Sequence, residues 1–288
     1  GATIRGIVFD GASEVADAIR IDDTVTGAPV VISGCTVRNY TNRFVYVSLS
    51  GKIESLTIDD CIFIGADNST TNKAIYASSA HTQVETLSVT NSTFLNFNTG
   101  SNYFFRINCG EELVLMPVVL IDHCTFYNCY DRRGVYLYNA GRSTIKNCIS
   151  AFSERRDDTK SFTAYGDESI VKNVISYNVD LYGSAPKENI ISKNPLFVDA
   201  ENGNFQLYKD SPAVGAGDDG SDLGDPRWGV STENAPVGEL PYECVKKPYS
   251  MSPTTHSVRI LWQTLDANPS GTVYYGKTPD LGQKVTAE

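Results

Sequence analysis

The sequence predicts an all-β chain whose larger part is a right-handed parallel β-helix. Three observations carry that expectation. A six-residue unit recurs seven times along the first 176 residues. Within and between the copies, apolar and polar residues alternate at period two, the mark of strands, and helical periodicity is not evident. The copies also run in one direction at similar spacing, which calls for parallel stacking, whereas a sandwich needs hairpin turns between neighbouring strands.

In chain order the units are Ile4–Phe9, Ile32–Val37, Ile58–Phe63, Val89–Phe94, Ile121–Phe126, Ile145–Ser150 and Val171–Ser176. Each holds an apolar residue, two polar or glycine residues that bend the chain, a small residue, an outward residue and usually a second large apolar one. The small position is held by Ile7, Cys35, Cys61, Ser92, Cys124, Cys148 and Val174, at steps of 28, 26, 31, 32, 24 and 26 residues. Cysteine and serine there are nearly isosteric and can stack inside, so buried thiols rather than bridges are expected. The seven cysteines include no CxxC pair and no metal-like Cys/His spacing. Four places after the small column stand Asn39, Asn96, Asn128 and Asn178, whose amides could hydrogen-bond from coil to coil. A further strand separates the units: Phe44–Val47, Ala74–Ala77, Tyr103–Arg106, Val135–Tyr138 and Phe162–Tyr165. About three short strands per coil is a solenoid period.

The repeat breaks at Asn194–Asp199, Asn204–Leu207 and Ser211–Gly217, where prolines and glycines suit an irregular cap over the last coil, closed by Leu223–Trp228. The runs NPLFVD, NFQLYKDSPAVGAG and LGDPRWG in this stretch resemble the C-terminal signature of secreted, pectate-lyase-like β-helix proteins of Bacteroidetes. The resemblance covers about residues 1–230. It implies an extracellular or cell-surface bacterial protein of a polysaccharide-utilisation system. A loop at 231–241 reads as a linker. Residues 242–288 then carry two strand-like runs, Ser257–Thr264 and Gly271–Gly276. These are similar to the first strands of the fibronectin-III-like domain that precedes the catalytic domain of purple-acid-phosphatase-type metallophosphoesterases. Such a sandwich takes about 100 residues, so an incomplete domain of a longer protein is expected. The Asp, Asn and His metal-ligand cluster of those enzymes is not found in this sequence.

Composition narrows the function. Hydrophobic residues make up 41% of the 288 and charged residues 20%, enough for a real core. No run of 18 apolar residues exists, so no membrane span is expected. The chain starts at Gly1 with neither a basic nor an apolar leader segment, so no signal peptide is expected in it. A formal charge of −10 disfavours a nucleic-acid partner. Residues 131–172 hold eight basic against six acidic side chains, a mildly basic stretch that could attract an acidic polysaccharide, although mixed surface charge explains it as well.

The interleaved strands supply the candidate site. If Val45, Ile75, Tyr103, Val135 and Phe162 point inward, then Tyr46, Tyr76, Phe104, Tyr136 and Thr163 point outward. Two places on, Ser48, Ser78, Arg106, Tyr138 and Tyr165 face outward as well. Tyr46, Tyr76, Phe104, Tyr136, Tyr138 and Tyr165 thus form an aromatic stripe suited to the C–H faces of sugars, or equally a ladder that stabilises the sheet. A one-residue slip would turn the column inward. In β-helical lyases, to which the resemblance points, a base removes a proton beside a uronate carboxylate, which a cation, often Ca²⁺, neutralises. Arg106 is the first candidate for base or carboxylate clamp, with Arg132 and Arg133 adding charge. The adjacent Asp59 and Asp60 are the candidate Ca²⁺ ligands, although no dense Asp/Glu set with ligand spacing surrounds them. No RxPxxR-like lyase signature is present. His123 reads as a turn residue, and Lys146 and Lys172 as exposed turn lysines. Glycan binding without catalysis, lyase action on an acidic glycan, and a spacer role for a downstream phosphoesterase domain are the three readings that remain.

Overall fold

The computed structural model describes residues 1–48, 52–65, 72–79, 83–97, 103–109, 117–138, 142–236, 244–251, 259–264, 272–275 and 283–286. The chain divides into two compact units, Gly1–Ala235 and Pro236–Glu288. The first is an all-β parallel solenoid. Its strands fall into three ladders.

The first ladder stacks Ala2–Arg5, Val30–Ser33, Lys52–Asp59, Gln83–Thr90, Val118–Asp122 and the leading halves of Arg142–Ala151, Ile170–Tyr177 and Lys187–Ile191, all in parallel. The second stacks Val8–Asp10, Thr36–Arg38, Ile62–Ile64, Thr93–Leu95 and Thr125–Tyr127 with the trailing halves of those long strands. The third is a seven-stranded sheet of Asp17–Ile21, Arg43–Val47, Lys73–Ser79, Phe105–Cys109, Val135–Leu137, Lys160–Ala164 and Asp180–Tyr182.

One residue per coil makes the bend between the first two ladders. Gly6, Gly34, Asp60, Asn91, His123, Asn147, Asn173 and Asn189 occupy it, with φ between 49° and 63°. Glycine, asparagine and aspartate tolerate this left-handed conformation best, which explains the polar pair in the repeat. His123 takes the same backbone, as a turn residue should. The amides of this column carry the coil-to-coil bonds: Asn91 donates to Asp59 at 2.9 Å, Asn147 to Asp122 at 3.0 Å and Asn189 to Asn173 at 2.9 Å. The column expected to do so, Asn39, Asn96, Asn128 and Asn178, is also left-handed. Its register places Gly65 and Phe152 between the asparagines, so it is not a continuous amide stack.

The small column has a second use. Cys35, Cys61, Cys124 and Cys148 are buried free thiols. Each Sγ lies 2.9–3.4 Å from the carbonyl two residues back, and Ser92 Oγ does the same at 2.7 Å. A small side chain with a weak donor thus adds a second bond to carbonyls at the bend, where those of Ser33, Asp59, Thr90 and Asp122 already accept a bend amide of the neighbouring coil. Burial raises the Cys61 thiol to about 12, so it is inert. Beside this column Phe63, Phe94 and Phe126 stack with centroids 4.9 Å apart and rings within 8° of parallel.

The segment expected to cap the last coil runs instead along the flank. Phe197–Asp199 and Asn204–Leu207 pair antiparallel, and the chain from Ser211 to Val230 then crosses coil after coil outside the second ladder. Asp218 reaches Lys172, Lys146 and Asn147. Further along, Asp225 meets Thr125 and Thr93, and Arg227 meets Asp60. The outward residues here are apolar or Thr, and Phe205, Leu207, Leu223 and Trp228 bury them. Gly224 (φ +88°) is required at this crossing, because a Cβ would sit 2.7 Å from Thr125 Oγ1. Lys146 and Lys172, expected in solvent, are half-buried anchors of this strap.

The second unit contains Cys244–Met251 paired antiparallel with Arg259–Thr264, and Thr272–Tyr275 with Gln283–Thr286. His81 and His256 lie outside the described residues. No described helix is long and apolar enough to cross a membrane.

Candidate functional site

The outer face of the third ladder carries the densest set of exposed and half-exposed aromatic side chains. Its register aligns Arg20, Tyr46, Tyr76, Arg106, Tyr136, Thr163 and Tyr182 in one column. The neighbouring outward position is held by Ser48 in one coil and by Asn108, Tyr138 and Tyr165 in three later, successive coils.

Three expectations are corrected by this register. Phe104 does not face outward. It is 1% exposed and packs at 5.4 Å on Phe97, inside the core. Tyr103, expected inside, stands in the outer aromatic set. The residue that continues the inward column of Val45, Ile75 and Val135 is Phe105. In the run Tyr103-Phe104-Phe105 every side chain is apolar-bodied, so alternation cannot fix the register. The spacing could have: residues 45, 75, 105 and 135 are evenly spaced. Arg106 therefore belongs to the Tyr76–Tyr136 column rather than to that of Tyr138.

The rings form an unbroken path. Tyr46 lies 6.0 Å from Tyr76, Tyr76 6.3 Å from Tyr103, and Tyr103 stacks on Tyr136 at 5.6 Å and 12°. Tyr136 stacks on Tyr138 at 5.7 Å and 10°. Tyr165 then stands edge-on to Tyr138 at 5.7 Å, and Tyr182 edge-on to Tyr165 at 6.5 Å. Offset and edge contacts of this kind lock the rings before anything binds.

The two ends differ in access and in charge. At the N-terminal end Arg43 lies 3.5 Å over the Tyr46 ring and makes a bidentate pair with Asp17, both bonds at 2.8 Å. Arg20 pairs with Asp22 at 2.8 Å. Tyr46, only 7% exposed, is thus covered and its cations are neutralised. Tyr136, at 5%, is the buried keystone of the other end, while Tyr138 and Tyr182 are 39% and 56% exposed. Here Arg106 lies 4.2 Å over Tyr103 and donates to its hydroxyl, and Arg133 lies 4.8 Å over Tyr136. Neither arginine has a carboxylate partner among the described residues. Arg106 Nε is buried with no hydrogen-bond acceptor. Arg132 is exposed and lies outside the ring contacts. Sequence reasoning missed Tyr182, whose short strand Asp180–Tyr182 follows the seventh unit, Val171–Ser176, after only three residues, much sooner than the earlier interleaved strands such as Val135–Tyr138 and Phe162–Tyr165 follow theirs.

A calcium site at Asp59 and Asp60 does not fit the residues present. Asp59 accepts from Thr90 at 2.6 Å and Asn91 at 2.9 Å, and Asp60 pairs with Arg227 at 2.7 Å. Among the described residues no group of three or more His, Cys, Asp or Glu gathers in a way that could hold a metal.

Two families match. Residues 1–97 match a domain of unknown function (DUF4957), and residues 119–228 match another domain of unknown function (DUF5123). No curated protein matches the chain. The second match ends at Trp228, the last anchor of the strap, where Nε1 donates to Thr93 at 2.9 Å. The aromatic path runs through both matched segments, from Tyr46 to Tyr182.

Proposed function

We propose that this chain is a carbohydrate-binding β-helix that receives a polysaccharide along the outer face of its third ladder. The observation that carries the reading is the pre-stacked ring path with an open end at Tyr138, Tyr165 and Tyr182 and two arginines lying on its rings. Aromatic faces cover sugar C–H faces, hydroxyls bond the sugar edges, and an ordered surface loses little entropy on binding. Coils about 4.8 Å apart match the rise of an extended glycan by roughly one sugar per coil. The likeness to pectate-lyase-like proteins of polysaccharide-utilisation systems points the same way, and the reading includes an extracellular or cell-surface location on a bacterium. Affinity electrophoresis through gels holding neutral or uronate-rich polysaccharides tests the reading. One or more polymers should retard the protein, and Tyr138→Ala or Tyr165→Ala should each weaken retention about tenfold, the scale of one aromatic contact. If no polymer retards the folded protein, the reading fails.

A second reading, lyase action on an acidic glycan, is favoured by Arg106, whose Nε lacks an acceptor. It requires unsaturated product at ultraviolet wavelengths from uronate polymers, abolished by Arg106→Ala. The third, a spacer, rests on the fibronectin-III-like resemblance of residues 242–288, whose two strand pairs are compatible with part of such a sandwich.

A further inference from the structure

The strap and the flank it covers enclose a cavity of about 380 Å³ away from the tyrosine face. Ile149, Phe205, Leu207 and Trp228 help form its apolar lining, and His123 and Ser221 stand among its polar groups. Asp122 Oδ1 lies 2.8 Å from His123 Nδ1, and His123 Nε2 lies 2.7 Å from Ser221 Oγ. These are the distances of a carboxylate–imidazole–hydroxyl set for acyl transfer.

Hydrogen counting assigns the group a different role. Ser221 Oγ is also 2.5 Å from Asp219 Oδ1, an oxygen that only accepts. The single hydroxyl proton therefore belongs to Asp219, and His123 Nε2 must donate to Oγ. Asp122 Oδ1 likewise only accepts, so Nδ1 must donate too. Both bonds together require the imidazolium. A neutral ring in either tautomer sets a nitrogen lone pair against Asp122 or leaves Oγ with one proton for two acceptors. A hydroxyl held this way is not an activated nucleophile.

We infer that Asp122, His123, Ser221 and Asp219 form a proton-dependent latch, which holds the strap over the cavity while His123 is charged and loosens when it is not. Every neighbouring charge bears on it. Asp122 belongs to the same coil, and Lys146 of the next coil pairs with Asp122 at 3.4 Å. The strap brings Asp218, which Lys146 and Lys172 neutralise, together with Asp219 and Asp222, while buried Asp225 is taken by Arg227. The anions nearest the ring are therefore Asp122 and Asp219. The hydrogen bond that His123 donates to Asp122 raises the histidine above its ordinary 6.5, against the effect of burial. Bonds to His123 and to Ser221 hold Asp122 and Asp219 below 3.8.

The sign follows from linkage. A raised histidine contributes fully below its free value and is lost as pH rises through its raised value. The lowered carboxylates contribute above 3.8 and are lost as pH falls through their lowered values. The latch is therefore tightest between these limits, and within the histidine's window each pH unit weakens it about tenfold.

Hydrogen exchange on the intact chain at pH 6 and pH 9, corrected for intrinsic rates, tests this. The wild type should lose several-fold of its protection in the peptide spanning residues 211–229 on going from pH 6 to pH 9. His123→Asn keeps a residue suited to the left-handed turn and should show no such pH dependence, whatever its absolute protection. At pH 6 the nitrogen shifts of His123 should report both ring nitrogens protonated. Equal wild-type protection at both pH values overturns the inference, as does the same loss in His123→Asn. Labelling of Ser221 by a fluorophosphonate would show the hydroxyl to be a nucleophile and overturn it as well.

Discussion

At the scale of single residues, the bend between the first and second ladders decides what the sequence must contain. Asn147 is fully buried, sits at φ 52°, and bonds both Asp122 and Asp218. Asn147→Ala loses those bonds and puts a Cβ-bearing residue without side-chain support in the left-handed region. We expect it to cost about 2–4 kcal/mol, read as a lower urea midpoint. Asn147→Gly relieves the backbone and should recover about 1 kcal/mol of that. If the glycine variant were the less stable of the two, backbone strain at the bend would not be the cause. These positions were legible in the sequence because only a few residue types tolerate such a turn. The partners were not legible: nothing local to Asn147 announces Asp218, 71 residues further on.

At the scale of elements, the ladders followed from period two and from the even return of like residues, while the strap did not. Its prolines and glycines read correctly as irregular chain. Which surface it covers depended on the outward faces of the second ladder, where Thr93, Thr125 and Ile149 are a mixed polar and apolar set that alternation alone assigns to solvent. The structure makes them half of a second core. Thr93 is the joint: its hydroxyl donates to Asp225 at 2.6 Å and accepts from Trp228 Nε1 at 2.9 Å. Thr93→Val keeps the shape but strips both bonds, leaving a buried carboxylate short of a donor. A loss of about 2–3 kcal/mol is expected, with raised hydrogen exchange confined to the strap peptides. The inner stack behaves differently. Phe94→Ala opens a void between Phe63 and Phe126 and should cost about 3–5 kcal/mol while leaving the strap no more exposed than the rest. The tyrosine path was half legible, since Tyr46, Tyr76 and Tyr136 keep the repeat spacing. Phe104 was misplaced because three aromatic residues in a row erase the alternation that sets register.

At the scale of the whole molecule, the first unit contains its own core, its strap and every described member of the candidate site. A chain ending at Ala235 should keep the β-sheet circular dichroism spectrum, one cooperative unfolding transition and undiminished retention by any polysaccharide that the full chain binds. A broadened or lost transition would show that residues 236–288 support the solenoid. Parallel coil stacks are otherwise quasi-one-dimensional, each layer bound only to its neighbours, so they open from an end a layer at a time. Here Arg227 grips the layer of Asp60 while Asp218 grips that of Lys172, four layers and about 19 Å away. The strap therefore acts as a tie-rod. Under axial tension it shares the load with the ladders, and the layers between its two grips should yield together.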